Sequence, residues 1–153
     1  MCRSVAVAAW LILAMPSMVR AQGVESRETA IYVEALGPTE YASLNVDHLI
    51  SSVWSVRGGF QIAGSGGSLG QHYVQVPVSL SRVHFWRGVG LEAGVGGVGT
   101  VNGQYEWDAF EYYGSVGLRS RPFGNGAFIR AEILAMPSED WRKLFGVGIG
   151  YAF

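Results

Sequence analysis

From residue 30 onward the chain alternates: large apolar residues recur at every second position, and those between are polar, charged or very small. A period of two belongs to the β-strand, whose successive side chains point to opposite faces. The stretch FGVGIGYAF shows it plainly. Phe145, Val147, Ile149, Tyr151 and Phe153 share one face, and Gly146, Gly148, Gly150 and Ala152 share the other. The pattern predicts eight strands, at 30–37, 41–49, 53–63, 72–83, 88–99, 110–121, 127–136 and 143–153. Turn chemistry separates them: Gly37-Pro38, Ile50-Ser51-Ser52, GSGGSLGQ (64–71), Phe85-Trp86-Arg87, VNGQYEWDA (101–109), PFGNG (122–126) and PSEDW (137–141). No helical period interrupts the series.

The charges keep to one face. Glu34 lies with Tyr32, opposite Ile31 and Val33; Asp47 lies with Ser43 and Asn45, opposite Leu44 and Val46. Arg57 opposes Val56, Phe60 and Ile62, and Glu92 opposes Leu91 and Val95. Arg119 opposes Val116 and Leu118, while Arg130 and Glu132 oppose Ile129, Ala131 and Ile133. In a soluble sandwich the apolar face is the buried one. In a lipid-embedded barrel the phase is inverted, with the apolar face outward and the charges inside.

Three features favour the inverted phase. The second, fourth and sixth connections (50–52, 84–87, 122–126) are short, the third, fifth and seventh are longer and more polar, and only the first outward one, Gly37 to Glu40, breaks the rule by being short. Short periplasmic turns and longer external loops characterise bacterial outer-membrane barrels. Aromatics gather at strand ends, Trp54, Phe85, Trp86 and Phe123 at one and Tyr41, Tyr73, Tyr112 and Trp141 at the other, as interfacial girdles do. The mid-strand charges are of both signs and can balance one another. An Arg on the lipid face costs roughly 2–4 kcal/mol at the midplane. Turning Arg57, Arg119 and Arg130 outward would therefore cost on the order of 6–12 kcal/mol, comparable with a whole domain's stability.

The first 21 residues read differently. Arg3 precedes an apolar run at 5–15, and small residues close on Ala21, which predicts a secretory signal peptide cleaved before Gln22. The run is shorter than the roughly 20 residues a spanning helix needs. Cleavage leaves one domain, 22–153, and moves the net charge from −1 to −3 by removing Arg3 and Arg20. That balance offers no basic surface to nucleic acid. The single cysteine, Cys2, leaves with the signal, so the mature domain has neither disulfide nor thiolate chemistry. With 49% hydrophobic and only 15% charged residues the chain is too apolar for disorder, and its 22 glycines serve strands with one small face.

Several segments together resemble an uncharacterised family of small bacterial outer-membrane β-barrel proteins of eight-stranded, OmpA/OmpX-like architecture. They are YASLNVDHL (41–49), WSVRGGF (54–60), VPVSL (76–80), GLEAGVGG (90–97), GSVGLRSRPFGNGAFIRAEIL (114–134) and GVGIGYAF (146–153). The resemblance covers nearly the whole mature chain. It implies location and architecture, and carries over no catalytic or ligand residue. The terminal Phe153, with Tyr151 two positions before it, resembles the C-terminal signal that barrel-assembly machinery recognises.

Few motifs suggest chemistry. Residues 94–99 spell GxGxxG, but that fingerprint needs a helix behind it, and here TVNGQYEW follows. His48, His72 and His84 lack the spacing of converging metal ligands. A Ser68–His72 pair with Glu106 or Asp108 is the one catalytic grouping that can be assembled, and Ser68 lies in a Gly-rich loop without a rigid strand to hold it. The seven inner charges, Glu34, Asp47, Arg57, Glu92, Arg119, Arg130 and Glu132, read as a neutralising network inside a barrel narrow enough to be filled by side chains. The alternative is a polar conduit or small-ligand cavity. Outer loops 64–71 and 101–109 read as the recognition surface, with Tyr105 and Trp107 either contact or girdle residues.

The sequence thus predicts an all-β, eight-stranded antiparallel up-and-down transmembrane β-barrel, exported to the outer membrane of a Gram-negative-type bacterium. The expected role is structural or surface-interacting and non-enzymatic, without cofactor or metal. Its expected partners are outer-membrane lipid, the assembly machinery and an unidentified extracellular or periplasmic partner. A narrow pore, a lipid-modifying enzyme and a soluble lipocalin-like carrier are the rival readings.

Overall fold

A computed structural model describes residues 28–39, 41–64, 72–101, 107–120, 126–137 and 142–153. The expected signal peptide at 1–21 lies outside them. Eight strands follow in chain order: β1 (Thr29–Ala35), β2 (Ala42–Leu49), β3 (Trp54–Gly64), β4 (His72–Trp86), β5 (Val89–Val101), β6 (Trp107–Ser120), β7 (Gly126–Met136) and β8 (Arg142–Ala152). Each pairs antiparallel with its neighbours in sequence, and β8 closes on β1 to make a barrel. The seam register runs from Ala30 opposite Ala152 to Ala35 opposite Val147.

Strand ends depart from the alternation in several places. The strand predicted to stop at residue 83 continues to Trp86, so Phe85 and Trp86 belong to β4 rather than to a turn. The hairpin narrows to Arg87 and Gly88, with φ of 47° and 86°. Two left-handed residues make the tight turn whose twist suits antiparallel strands, and the glycine that enables it lies beyond the expected turn. At the other end β6 begins at Trp107, three residues before the predicted 110, and so shortens the expected 101–109 loop. β1 stops at Ala35, because Leu36 adopts a φ of 60° and leaves the sheet.

The exposure pattern fixes the phase. Ile62, Ile149 and Phe145 are more than 60% exposed, while Arg57, Arg119 and Arg130 are 2% exposed or less. The core therefore lies in the barrel lumen, and the apolar face forms an outer belt. This overturns the soluble-carrier phase. One girdle expectation also fails: Phe85 follows the inner alternation of β4, and its ring lies over Gly90 beside Val83, where a Cβ on Gly90 would stand 2.8 Å from Phe85 Cε1. Phe123 and Trp141 lie outside the described residues.

The lumen is more apolar than a "polar face" suggests. At the end bearing the start of β1, Ala30, Tyr32, Phe128 and Ala152 cluster, with the Tyr32 and Phe128 rings 5.0 Å apart. At the far end Val98, Tyr113, Leu134 and Met136 cluster, with Leu144 against them. The glycines of β8 make room for this filling. A Cβ on Gly148 would lie 2.7 Å from Tyr32 Cδ2, and one on Gly146 would lie 2.8 Å from Glu34 Oε1.

Candidate functional site: the buried charge layer

Between the two apolar clusters lies a layer of charge. The strand alternation turns Glu34 (β1), Asp47 (β2), Arg57 (β3), Glu92 (β5), Arg119 (β6), and Arg130 and Glu132 (β7) into the lumen. All seven are 3% exposed or less. Charges removed from water this completely must be paired to persist; each of the seven has an ionic partner, while Glu92 Oε2, Arg119 Nε and Arg130 Nε make no hydrogen bond.

Arg57 Nη1 lies 3.1 Å from Glu34 Oε2 and 2.8 Å from Glu132 Oε1. Its Nη2 donates to Tyr113 Oη at 2.8 Å and its Nε to Ser79 Oγ at 3.1 Å. Arg130 Nη2 contacts Glu132 Oε2 at 2.8 Å and also Glu92 Oε1, while its Nη1 donates to Tyr32 Oη at 3.0 Å and lies 3.5 Å from Asp47 Oδ2. Arg119 Nη2 pairs with Asp47 Oδ1 at 2.8 Å, its Nη1 donates to Ser55 Oγ at 3.2 Å, and its guanidinium carbon stands 4.9 Å from the Phe128 ring centroid. Ser55 Oγ in turn donates to Asp47 Oδ1 at 2.6 Å.

The layer is one connected network. Glu132 joins Arg57 to Arg130, and Asp47 and Glu92 each join Arg130 to Arg119. Six strands supply charges, β4 adds the Ser79 hydroxyl, and β8 offers Gly146, against which Glu34 and Glu132 pack. Tying opposite walls by charge-assisted bonds resists shear and fixes the barrel's cross-section. None of the seven charges faces solvent. At the far end the bend after β1 is buried at Gly37, Pro38 and Thr39, and a Cβ on Gly37 would stand 2.7 Å from Glu34 Cδ.

Sequence alternation marks the seven charges and misses their neutral partners. Tyr32, Ser55, Ser79 and Tyr113 share the inner face, but only register shows which guanidinium each one meets. Asn45, also inward, donates to Ser43 Oγ at 2.8 Å.

The other sequence candidates are dispersed. His48 Nδ1 shares a 2.8 Å hydrogen bond with Thr29 Oγ1, and His84 is exposed. Among the described residues no group of three or more His, Cys, Asp or Glu is placed to hold a metal ion. Residues 94–99 are continuous β5, paired on both sides, and among the described residues no helix follows them. Ser68, Tyr105 and Glu106, and the side chains of His72, Trp107 and Asp108, lie outside the described residues. Tyr151 and Phe153 point outward, half-exposed, and the Phe153 backbone exchanges both hydrogen bonds with Thr29, at 2.9 and 3.1 Å.

No family model matches the chain, and no curated protein is similar to it in sequence. Solved structures are similar in fold. The N-terminal β-barrel domain of Pseudomonas aeruginosa OprF superposes with a TM-score of 0.58 at 12% identity, covering 86% of this chain and all of that one (100%). The Yersinia pestis outer membrane protein Ail in a phospholipid bilayer nanodisc gives 0.51 at 17% identity, covering 83% of this chain and 99% of that one. At such identities the likeness concerns the fold, and it agrees with the closed antiparallel topology: the protein has the architecture of the small eight-stranded outer-membrane barrels.

Proposed function

We propose that the protein is an integral outer-membrane barrel, non-enzymatic, whose role is structural or surface-interacting. The observation that carries this reading is the inversion of exposure. Side chains such as Ile31, Val46, Leu80, Leu91, Val116, Ile133 and Ile149 stand outward and 40–70% exposed, around a lumen that holds the charges. Fully burying a side chain of this kind stabilises by about 1.5–3 kcal/mol, and a belt of them is uncovered in water but satisfied in hydrocarbon. The nanodisc-embedded outer membrane protein with the same fold supports the reading. External loops are the natural contact surface of such a barrel, and the expected recognition segments belong to the connections that follow β3 and β5.

A passive pore is the weaker reading, because the charge layer is almost inaccessible to solvent and apolar clusters stand at both ends of it. Fractionation with heat-modifiability on a detergent gel tests the membrane assignment. The protein is expected to sediment with outer membrane and to migrate faster unboiled than boiled. Recovery from periplasm without detergent would overturn it.

A further inference from the structure

We infer that the charge layer binds one proton between Glu34 and Glu132, which makes the stability of the barrel pH-sensitive. The layer sets four carboxyl groups, of Glu34, Asp47, Glu92 and Glu132, against three guanidiniums, of Arg57, Arg119 and Arg130. Guanidiniums stay charged at any pH a protein meets. Four ionised carboxylates would therefore leave one negative charge over, in a layer whose members are 3% exposed or less. A surplus charge in such a place is relieved by neutralising one group, here a carboxylate that takes up a proton.

The distribution of partners shows which carboxyl is in surplus. Asp47 meets Arg119 and Arg130 and accepts from Ser55; Glu92 meets Arg130 and Arg119. Glu132 has a guanidinium nitrogen for each oxygen, Arg57 Nη1 and Arg130 Nη2, both at 2.8 Å. Among the described residues Glu34 has one ionic partner, Arg57 Nη1, at 3.2 and 3.1 Å from its two oxygens, and shares that nitrogen with Glu132. Its other donor is the Asn45 amide at 3.5 Å. A side-chain hydrogen bond also links the Glu34 and Glu132 carboxyl groups. Two ionised carboxylates have no hydrogen to place in it, and one proton supplies it. The remaining groups about the pair are Tyr32 (β1), Asp47 (β2), Arg57 (β3), Ser79 (β4), Glu92 (β5), Tyr113 (β6) and Arg130 (β7), all joined to it through the two guanidiniums. A Cβ on Gly37 would stand 2.8 Å from Glu34 Oε2, and one on Gly146 of β8 would stand 2.8 Å from Oε1. Backbone thus closes on the carboxyl from two sides, which favours a proton over a hydrated metal ion.

The test follows urea unfolding of the full chain, refolded in detergent micelles, across a range of pH. An unfolded glutamate ionises at about pH 4.3, so above that value the fold binds one proton more than the unfolded chain. Stability should then fall as pH rises, the unfolding constant growing about tenfold per pH unit until the proton leaves the fold. E34Q, whose amide copies the shape of a neutral carboxyl, should fold and show a slope flatter by that one proton. Subtracting its curve from that of the natural chain removes the histidines, which titrate in both. Infrared spectra at neutral pH should show the carbonyl stretch of a protonated carboxyl in the natural chain and lack it in E34Q. Parallel pH curves for the two proteins would overturn the inference, and so would a natural chain without the protonated-carboxyl band. Unfolding that depends on sodium or potassium rather than on pH would overturn it as well, by putting a metal ion in the proton's place. Should E34Q fail to fold, the band of the natural chain decides alone.

Discussion

Arg130 shows what a single residue carries in this lumen. Its guanidinium meets Glu92, Glu132 and Asp47 and donates to Tyr32. Replacing it with a methionine of similar length strands carboxylates in a layer that water does not reach. Breaking a buried pair by removing one partner costs about 3–5 kcal/mol, most of it from the charge left behind. R130M is therefore expected to lose that much in urea unfolding of the folded barrel. Adding E92Q and E132Q to it should restore part of the loss, because the stranded charges go with their partner. Y113F, which removes one hydrogen bond to Arg57, should cost about 1.5–3 kcal/mol. Equal losses in R130M and Y113F would contradict the network's coupling. The seven charges are legible in the sequence because each sits mid-strand among apolar alternates. Phe128 and Leu134 are not, since an inner position reads as part of a polar face whatever occupies it.

At the scale of elements, the closing strand separates two roles that one residue can play. Phe153 makes both of its backbone bonds to Thr29 at the end of the seam, while its ring points outward. Deleting the residue removes the bonds and the ring; F153A removes the ring alone. Unfolding of refolded protein is expected to show a loss for the deletion and little change for F153A. Outer-membrane assembly in cells, if it reads the aromatic as the resemblance implies, should fall in both. Normal assembly of F153A would remove the ring from any signal. Strands as elements were legible from their period, but their ends were not. β4 reaches Trp86 because its partner β5 pairs as far as Val89, and β1 halts because Leu36 turns left-handed. Neither cause is local hydrophobicity.

For the whole molecule, the consequence of a filled lumen is a closed one. An eight-stranded barrel has an interior just wide enough for side chains to fill. Here the charge layer is capped by Tyr32 and Phe128 at one end and by Val98, Tyr113, Leu134 and Met136 at the other. The barrel is accordingly expected to be silent in planar bilayers at modest voltage. Stepwise unitary currents that depend on Arg57 or Arg130 would show instead that the layer opens. The barrel is also taller on one side: β3 to β6 have 11 to 15 residues each, whereas β1 and β2 have 7 and 8.

The sequence by itself determined the strand number and which residues share a face, and it favoured the inverted phase that the exposure pattern then decided. A two-residue period admits only two faces, and three arginines on the wrong one would cost as much as the fold is worth. Tertiary structure alone decided who meets whom. Arg57 and Glu132 are 75 residues apart and touch only because closure of the sheet carries β7 across the lumen from β3. Contacts of that range depend on register and shear summed around the barrel, which no local pattern encodes. The same summation left β1 short of β8, which runs on to Arg142 beside β7 alone.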